Sequence, residues 1–158
     1  MGVGKTTLGR ELASRLGRPF LDSDTELEMD HGTTGANIAS SDGVDRLHAL
    51  ELEIFSDMVG SEPPSVIAPA ASVVDTQRGR SLLTRTLTIW LDAPDEVLAV
   101  RRGADDHRRD VGDDEATELE RRRRPYWRDL AVTRVDTSGS VMEAVDMLVS
   151  ELRRVEAG

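Results

Sequence analysis

The chain has 158 residues, a net charge of −10 and no cysteine. That length suits one domain spanning residues 1–158, and the missing thiols remove disulfides, thiolate metal sites and cysteine nucleophiles together. The acidic balance argues against nucleic acid as a partner, and no apolar run is long enough for a bilayer or a signal peptide, so a cytoplasmic monomer is expected.

The chain opens Met1-Gly2-Val3-Gly4-Lys5-Thr6-Thr7 and runs at once into Leu8-Gly9-Arg10-Glu11-Leu12-Ala13, which predicts a helix from about Lys5 to Leu16. This is the second half of the pattern G-x-x-x-x-G-K-[ST]. Its glycines let backbone N–H groups converge on phosphate oxygens, and the helix N-terminus adds positive potential. Lys5 is then a contact to the β- and γ-phosphates of ATP, and the Thr6 hydroxyl a ligand of Mg²⁺. Of twenty basic residues nineteen are Arg, and the one lysine is Lys5. A chain that otherwise uses arginine keeps a compact ammonium where an Arg fork would not fit. A glycine-rich tail ahead of a helix is the bland alternative, and it leaves that register unexplained. The first glycine of the pattern falls ahead of Met1, after a strand of about five or six residues. The expectation is therefore that Met1 is an internal methionine and that the first strand is absent from this chain.

A short strand at Pro19–Leu21 leads into Asp22-Ser23-Asp24 and a helix from Thr25 to Asp30. Alternate side chains of an extended segment share a face, so both carboxylates can enter one cleft at the strand's carboxyl end. One can hold Mg²⁺ while the other takes the proton of an attacking hydroxyl. The competing account is capping, with Ser23 and Glu26 as a capping box. Further along, helices are predicted at Val44–Val59, Pro94–Arg102, Asp113–Arg123 and Val141–Val155. Strands are predicted at Ser65–Ala68, Leu87–Leu91 and Val132–Val135, with a polar loop at Asp105–Asp114. Strands alternating with helices point to an α/β domain with a parallel sheet.

Three segments, in order and spacing, resemble the shikimate kinase family: the Met1–Arg10 loop, the Asp22-Ser23-Asp24 pair, and Arg123-Arg124-Pro125-Tyr126-Trp127 with Ala131 and Val135-Asp136-Thr137. The resemblance implies a three-layer P-loop kinase fold with a parallel five-stranded sheet, ATP with Mg²⁺, and a lid at about residues 103–115. It places the nucleotide on Gly2, Val3, Gly4, Lys5, Thr6 and Thr7, with Arg102 stacking on adenine. Asp22 falls on the metal-associated aspartate beside Thr6, and Asp24 on the aspartate that holds the substrate hydroxyl. Arg109 falls on the lid arginine at the transferred phosphate, and Arg123 on an arginine for the substrate carboxylate. Lys5, Asp24 and Arg109 are thus the expected catalytic groups.

Two features of the acceptor pocket depart from the family. His48 stands where the family has an arginine after Asp42-Gly43, and Ile67-Ala68-Pro69-Ala70-Ala71-Ser72 stands where it has Gly-Gly-Gly. His48 is either a weaker acceptor contact or a half-buried helix residue. Ala70 and Ala71 keep a ligand farther from the backbone, and Pro69 removes an N–H donor. Nine arginines lie between Arg101 and Arg128, and a helix must spread Arg121–Arg124 around its circumference, so several of them meet only solvent. The expected activity is ATP-dependent phosphorylation of a small hydroxylated acid, with shikimate first. A kinase of another polyol or sugar acid such as gluconate, and a non-catalytic nucleotide-binding relative, stand as alternatives.

Overall fold

The computed structural model describes residues 4–94, 96–98 and 113–156. Gly2, Val3, Arg102, Arg109 and most of the expected lid lie outside the described residues. Helix α1 (Lys5–Leu16) begins after Gly4, whose φ of 86° is a left-handed conformation that glycine adopts without penalty. It ends at Gly17, whose N–H caps the carbonyls of Ala13 and Ser14. Strand β1 (Phe20–Asp22) follows, then α2 (Ser23–His31), α3 (Gly35–Asp42) and α4 (Val44–Gly60). Strand β2 (Val66–Ala68) leads through a 3₁₀ helix (Ala71–Asp75) to α5 (Gln77–Leu83) and β3 (Ile89–Asp92). Helix α6 (Asp113–Leu130), strand β4 (Thr133–Asp136) and α7 (Val141–Glu156) complete the described chain.

All four strands lie within two residues of their predicted positions. β1 pairs parallel with β2, Phe20 opposite Val66, and β3 pairs parallel with β4, Ile89 opposite Thr133. Parallel pairing requires crossovers, and the helices cover both faces. On one face Leu8 and Leu12 of α1 pack with Val145 and Leu148 of α7, with Val66, Ile89 and Leu91 against them. On the other, Phe55 of α4 packs with Val73, Val74 and Leu83, and Ile67 meets that cluster. Val66 and its neighbour Ile67 thus serve opposite faces, as a strand dictates. The layers are helix, sheet and helix. Gly9 lets α1 lie on Phe20, since a Cβ there would come within 2.5 Å of that ring.

Among the described residues the strands form two parallel pairs rather than one five-stranded sheet. Between them lies a largely apolar cavity of about 470 Å³. Its walls include Val66–Ala68 on one side and Ile89–Leu91 on the other, with Leu12 of α1 and Phe55 of α4 over the two faces.

Several helices differ from expectation, among them the unexpected 3₁₀ helix and α5. The capping residue of α2 is Asp22, not Ser23, because Asp22 Oδ1 accepts the Asp24 N–H at 3.0 Å. Helix α6 continues through Pro125 to Leu130 instead of stopping at Arg123, and Trp127 is packed there against Trp90 with ring centroids 6.3 Å apart. That contact and the Leu130 packing hold the last turns despite the missing proline N–H. Helix α3, started by Thr34 accepting from the Asn37 N–H at 3.3 Å, buries only Ile38 and so shows little periodicity. No described helix is long and apolar enough to cross a membrane.

Candidate active site

The first intrahelical bond of α1 runs from the Leu8 N–H to the Gly4 carbonyl at 3.0 Å. The N–H groups of Thr6 and Thr7 therefore need acceptors from outside the helix. The first turn carries no acidic residue of its own, which leaves its positive end open to an anion. Beside it the Lys5 Nζ donates to the Pro69 carbonyl at 2.8 Å, which brings the phosphate loop against the segment after β2. A phosphate group fits this end of α1 on three counts: outward N–H groups, the helix dipole and an ammonium.

Thr6 Oγ1 donates to Asp22 Oδ2 at 2.7 Å. One Asp22 oxygen thus caps α2 and the other faces the phosphate loop. A hydroxyl and a carboxylate converging at the end of a strand make a hard-oxygen pair that suits Mg²⁺. Among the described residues no group of three or more acids, histidines or cysteines is assembled for a metal. That also suits Mg²⁺, which habitually takes one or two protein oxygens and completes its shell with phosphates and water. Capping and metal binding, alternatives for the aspartates in the sequence, are compatible here.

Asp24 stands in the first turn of α2, across from α4. On α4, His48 and Glu51 are three residues apart and so share a face. Burial pushes the Glu51 carboxyl above its ordinary value of 4.5. The Ser72 hydroxyl, which donates a short hydrogen bond to it, His48 and Lys5 pull the other way, while Asp24 adds to the rise. Lys5 on Pro69 and Glu51 on Ser72 meet the same short segment, and Asp24 and His48 stand near enough to Glu51 to act on its charge. Ala70 is buried beside it, and Ala71 starts the 3₁₀ helix.

The arginines of α6 diverge as a helix requires. Arg121 pairs with Glu118 at 2.8 Å on the surface, and Arg124 reaches Glu120 at 3.3 Å and Asp92 at 3.8 Å. Arg123 donates from Nε to Asp75 Oδ1 at 2.9 Å and from an Nη to Oδ2 at 2.6 Å.

Against known proteins, the family signature described as "Shikimate kinase" matches residues 1–153. The chain belongs to the shikimate kinase family. It is 34% identical to a shikimate kinase of Symbiobacterium thermophilum over 97% of this chain and 92% of that one. It is 33% identical to one from Thermobifida fusca over 96% and 90%. Among solved structures it is similar to shikimate kinase from Acinetobacter baumannii in complex with shikimate, with a TM-score of 0.85 and 27% identity over 99% of this chain and 89% of that one. The Aquifex aeolicus enzyme aligns with a TM-score of 0.82 and 26% identity over 100% and 94%. The fold is the α/β fold of shikimate kinases. Family membership implies ATP, with Mg²⁺ the usual metal, and a phosphotransferase acting on a hydroxyl.

With the shikimate kinase frame in place, the departures can be located. The segment from Pro69 to Ser72 uses no left-handed residue: every described residue with positive φ is a glycine, and Ala70 sits at φ −60°. His48 lies one turn before Glu51 on α4 and lowers the carboxyl's pKa by its charge. Glu51, Ser72 and Asp75 were not singled out in the sequence. The available signals were the spacing of Glu51 from His48 on one helix and the place of Ser72 at the end of the segment that stands for Gly-Gly-Gly.

Proposed function

We propose that this chain transfers the γ-phosphoryl group of ATP to a hydroxyl of a small hydroxylated acid, with shikimate, the acceptor for which its relatives are named, as the reference substrate. The observation that carries this reading is the convergence of Lys5, the Thr6–Asp22 pair and Asp24 at the carboxyl end of β1. In this reading the N-terminus of α1 and Lys5 hold the phosphates. Asp24 orients the acceptor hydroxyl and takes its proton as the new O–P bond forms and the bond to ADP breaks. Thr6 and Asp22 would hold Mg²⁺, which would offset negative charge on the phosphate oxygens. Arg102 and Arg109 serve adenine and the transferred phosphate, and His48, Ala70, Ala71 and Arg123 line the acceptor side.

Acceptor affinity is where this chain departs. A charge-assisted hydrogen bond contributes about 1.5–3 kcal/mol, and His48 supplies at most one donor where a guanidinium supplies two. Steady-state ADP release across shikimate concentrations is expected to give a KM above about 1 mM, the upper end of the usual enzymatic range. His48→Arg should lower it by about tenfold. A sub-millimolar KM at ordinary turnover, unaltered in His48→Arg, would remove His48 from the acceptor account. With the expected weak shikimate affinity, a hydroxy acid that makes fewer demands on that position, gluconate for instance, is the better substrate.

A fifth, parallel strand between β2 and β3 completes the sheet in this reading. Support comes from the 470 Å³ cavity, which has strand edges on both sides and helices over both faces. A chain carrying about five apolar, β-branched residues and a Gly-x pair ahead of Met1 should melt about 5 °C or more above the present one. Equal melting temperatures would show that the cavity does not take a strand.

A further inference from the structure

One short segment, residues 69–75, makes three of the contacts around the site. Pro69 accepts from Lys5, Ser72 donates to Glu51, and Asp75 holds Arg123. Ser72 and Asp75 are three apart in a 3₁₀ helix, where residues at that spacing stack one above the other. The Arg123 guanidinium therefore stands on the same side of this helix as Glu51 and His48, at the edge of the acceptor pocket. Its two-pronged face is taken by Asp75, at 2.9 and 2.6 Å. The partners are unequal. The Arg123 side chain is 12% exposed and that of Asp75 is 37%, so Asp75 is the member that can turn out to water while Arg123 stays in place.

We propose that Asp75 is a specificity-determining residue, an internal carboxylate that competes with the carboxylate of an acceptor for Arg123. The inference rests on the reading of Arg123 as an acceptor contact. A planar guanidinium presents one fork per edge, and a carboxylate is the group that fork fits best. An acceptor carboxylate either exchanges with Asp75 or binds beside a negative charge. A neutral acceptor meets neither cost. The pair tilts the pocket away from carboxylates and toward uncharged hydroxyl compounds, adding to the effect of His48.

Shikimate and its methyl ester separate charge from shape, because they differ in the ionised group and share the ring. Their binding to the ADP complex of the full chain can be measured by calorimetry, with no need for turnover. Asp75→Asn keeps the side chain's size and removes its charge. It is expected to tighten shikimate by about tenfold and leave the ester within about twofold. Asp75→Ser should act in the same direction. If either variant weakens shikimate, or moves acid and ester alike, Asp75 holds Arg123 in position and does not compete. If Arg123→Ala leaves shikimate binding at the wild-type value, the reading of Arg123 itself fails, an outcome the Asp75 variants alone cannot produce.

Discussion

Lys5→Met is expected to reduce phosphoryl transfer by at least about a thousandfold, because it removes a fixed cation from the place where charge develops in the transition state. Methionine matches the length of the lysine stem, so the substitution isolates the ammonium. The loss has two components. One is the direct interaction with the phosphates. The other is the Lys5–Pro69 hydrogen bond at 2.8 Å, which ties the phosphate loop to the acceptor segment. ATP affinity should also fall, though less, since the N–H groups at the start of α1 remain. Lys5→Arg should not rescue, because a branched planar fork does not occupy the space of an ammonium. Calorimetry with ATP and turnover measured together check this. Unchanged values for both in Lys5→Met would dissociate the loop from the nucleotide.

Asp24→Asn should lower kcat by about 10²–10⁴, the usual contribution of a positioned general base. The variant is informative because the main-chain role of the residue survives. The Asp24 N–H is already held by Asp22 Oδ1 at 3.0 Å, so the cap of α2 does not depend on the Asp24 side chain. ATP affinity should change little. A second consequence concerns Glu51, whose carboxyl is pushed up first by burial and then, among smaller causes, by Asp24. Removing that negative charge lets Glu51 ionise at lower pH. Any acidic limb of the pH–rate profile that belongs to Glu51 then shifts downward in the variant. A kcat within threefold of wild type would assign proton acceptance elsewhere.

The phosphate loop, α1 and the aspartate pair were legible because each rests on local chemistry: a glycine that turns left-handed, a lysine in fixed register, and two carboxylates at the end of an apolar run. The strands were found to within two residues for the same reason, since a buried parallel strand is a short apolar run between breakers. The stretch from Ala71 to Leu83 was not resolved into a 3₁₀ helix and α5. Its buried residues Val73, Val74 and Leu83 are too unevenly spaced to show a helical period. The site's remaining contacts join residues far apart in the chain, Glu51 to Ser72 and Asp75 to Arg123, separations of 21 and 48. No local pattern encodes such pairs. The structure adds two carboxylates to the residues read from the sequence: Glu51, one turn from His48, and Asp75, which holds Arg123.

Phosphoryl transfer to a hydroxyl is decided by the identity of the product. The full chain is incubated with Mg²⁺, ATP labelled in its γ-phosphoryl group and millimolar shikimate, gluconate or related hydroxy acids, and the labelled species are resolved by ³¹P NMR and mass spectrometry. The account predicts label on a hydroxyl oxygen of at least one acceptor, in amounts equal to the ADP released, and none with Lys5→Met. Label appearing only as inorganic phosphate, or remaining on ATP with every acceptor, would contradict it.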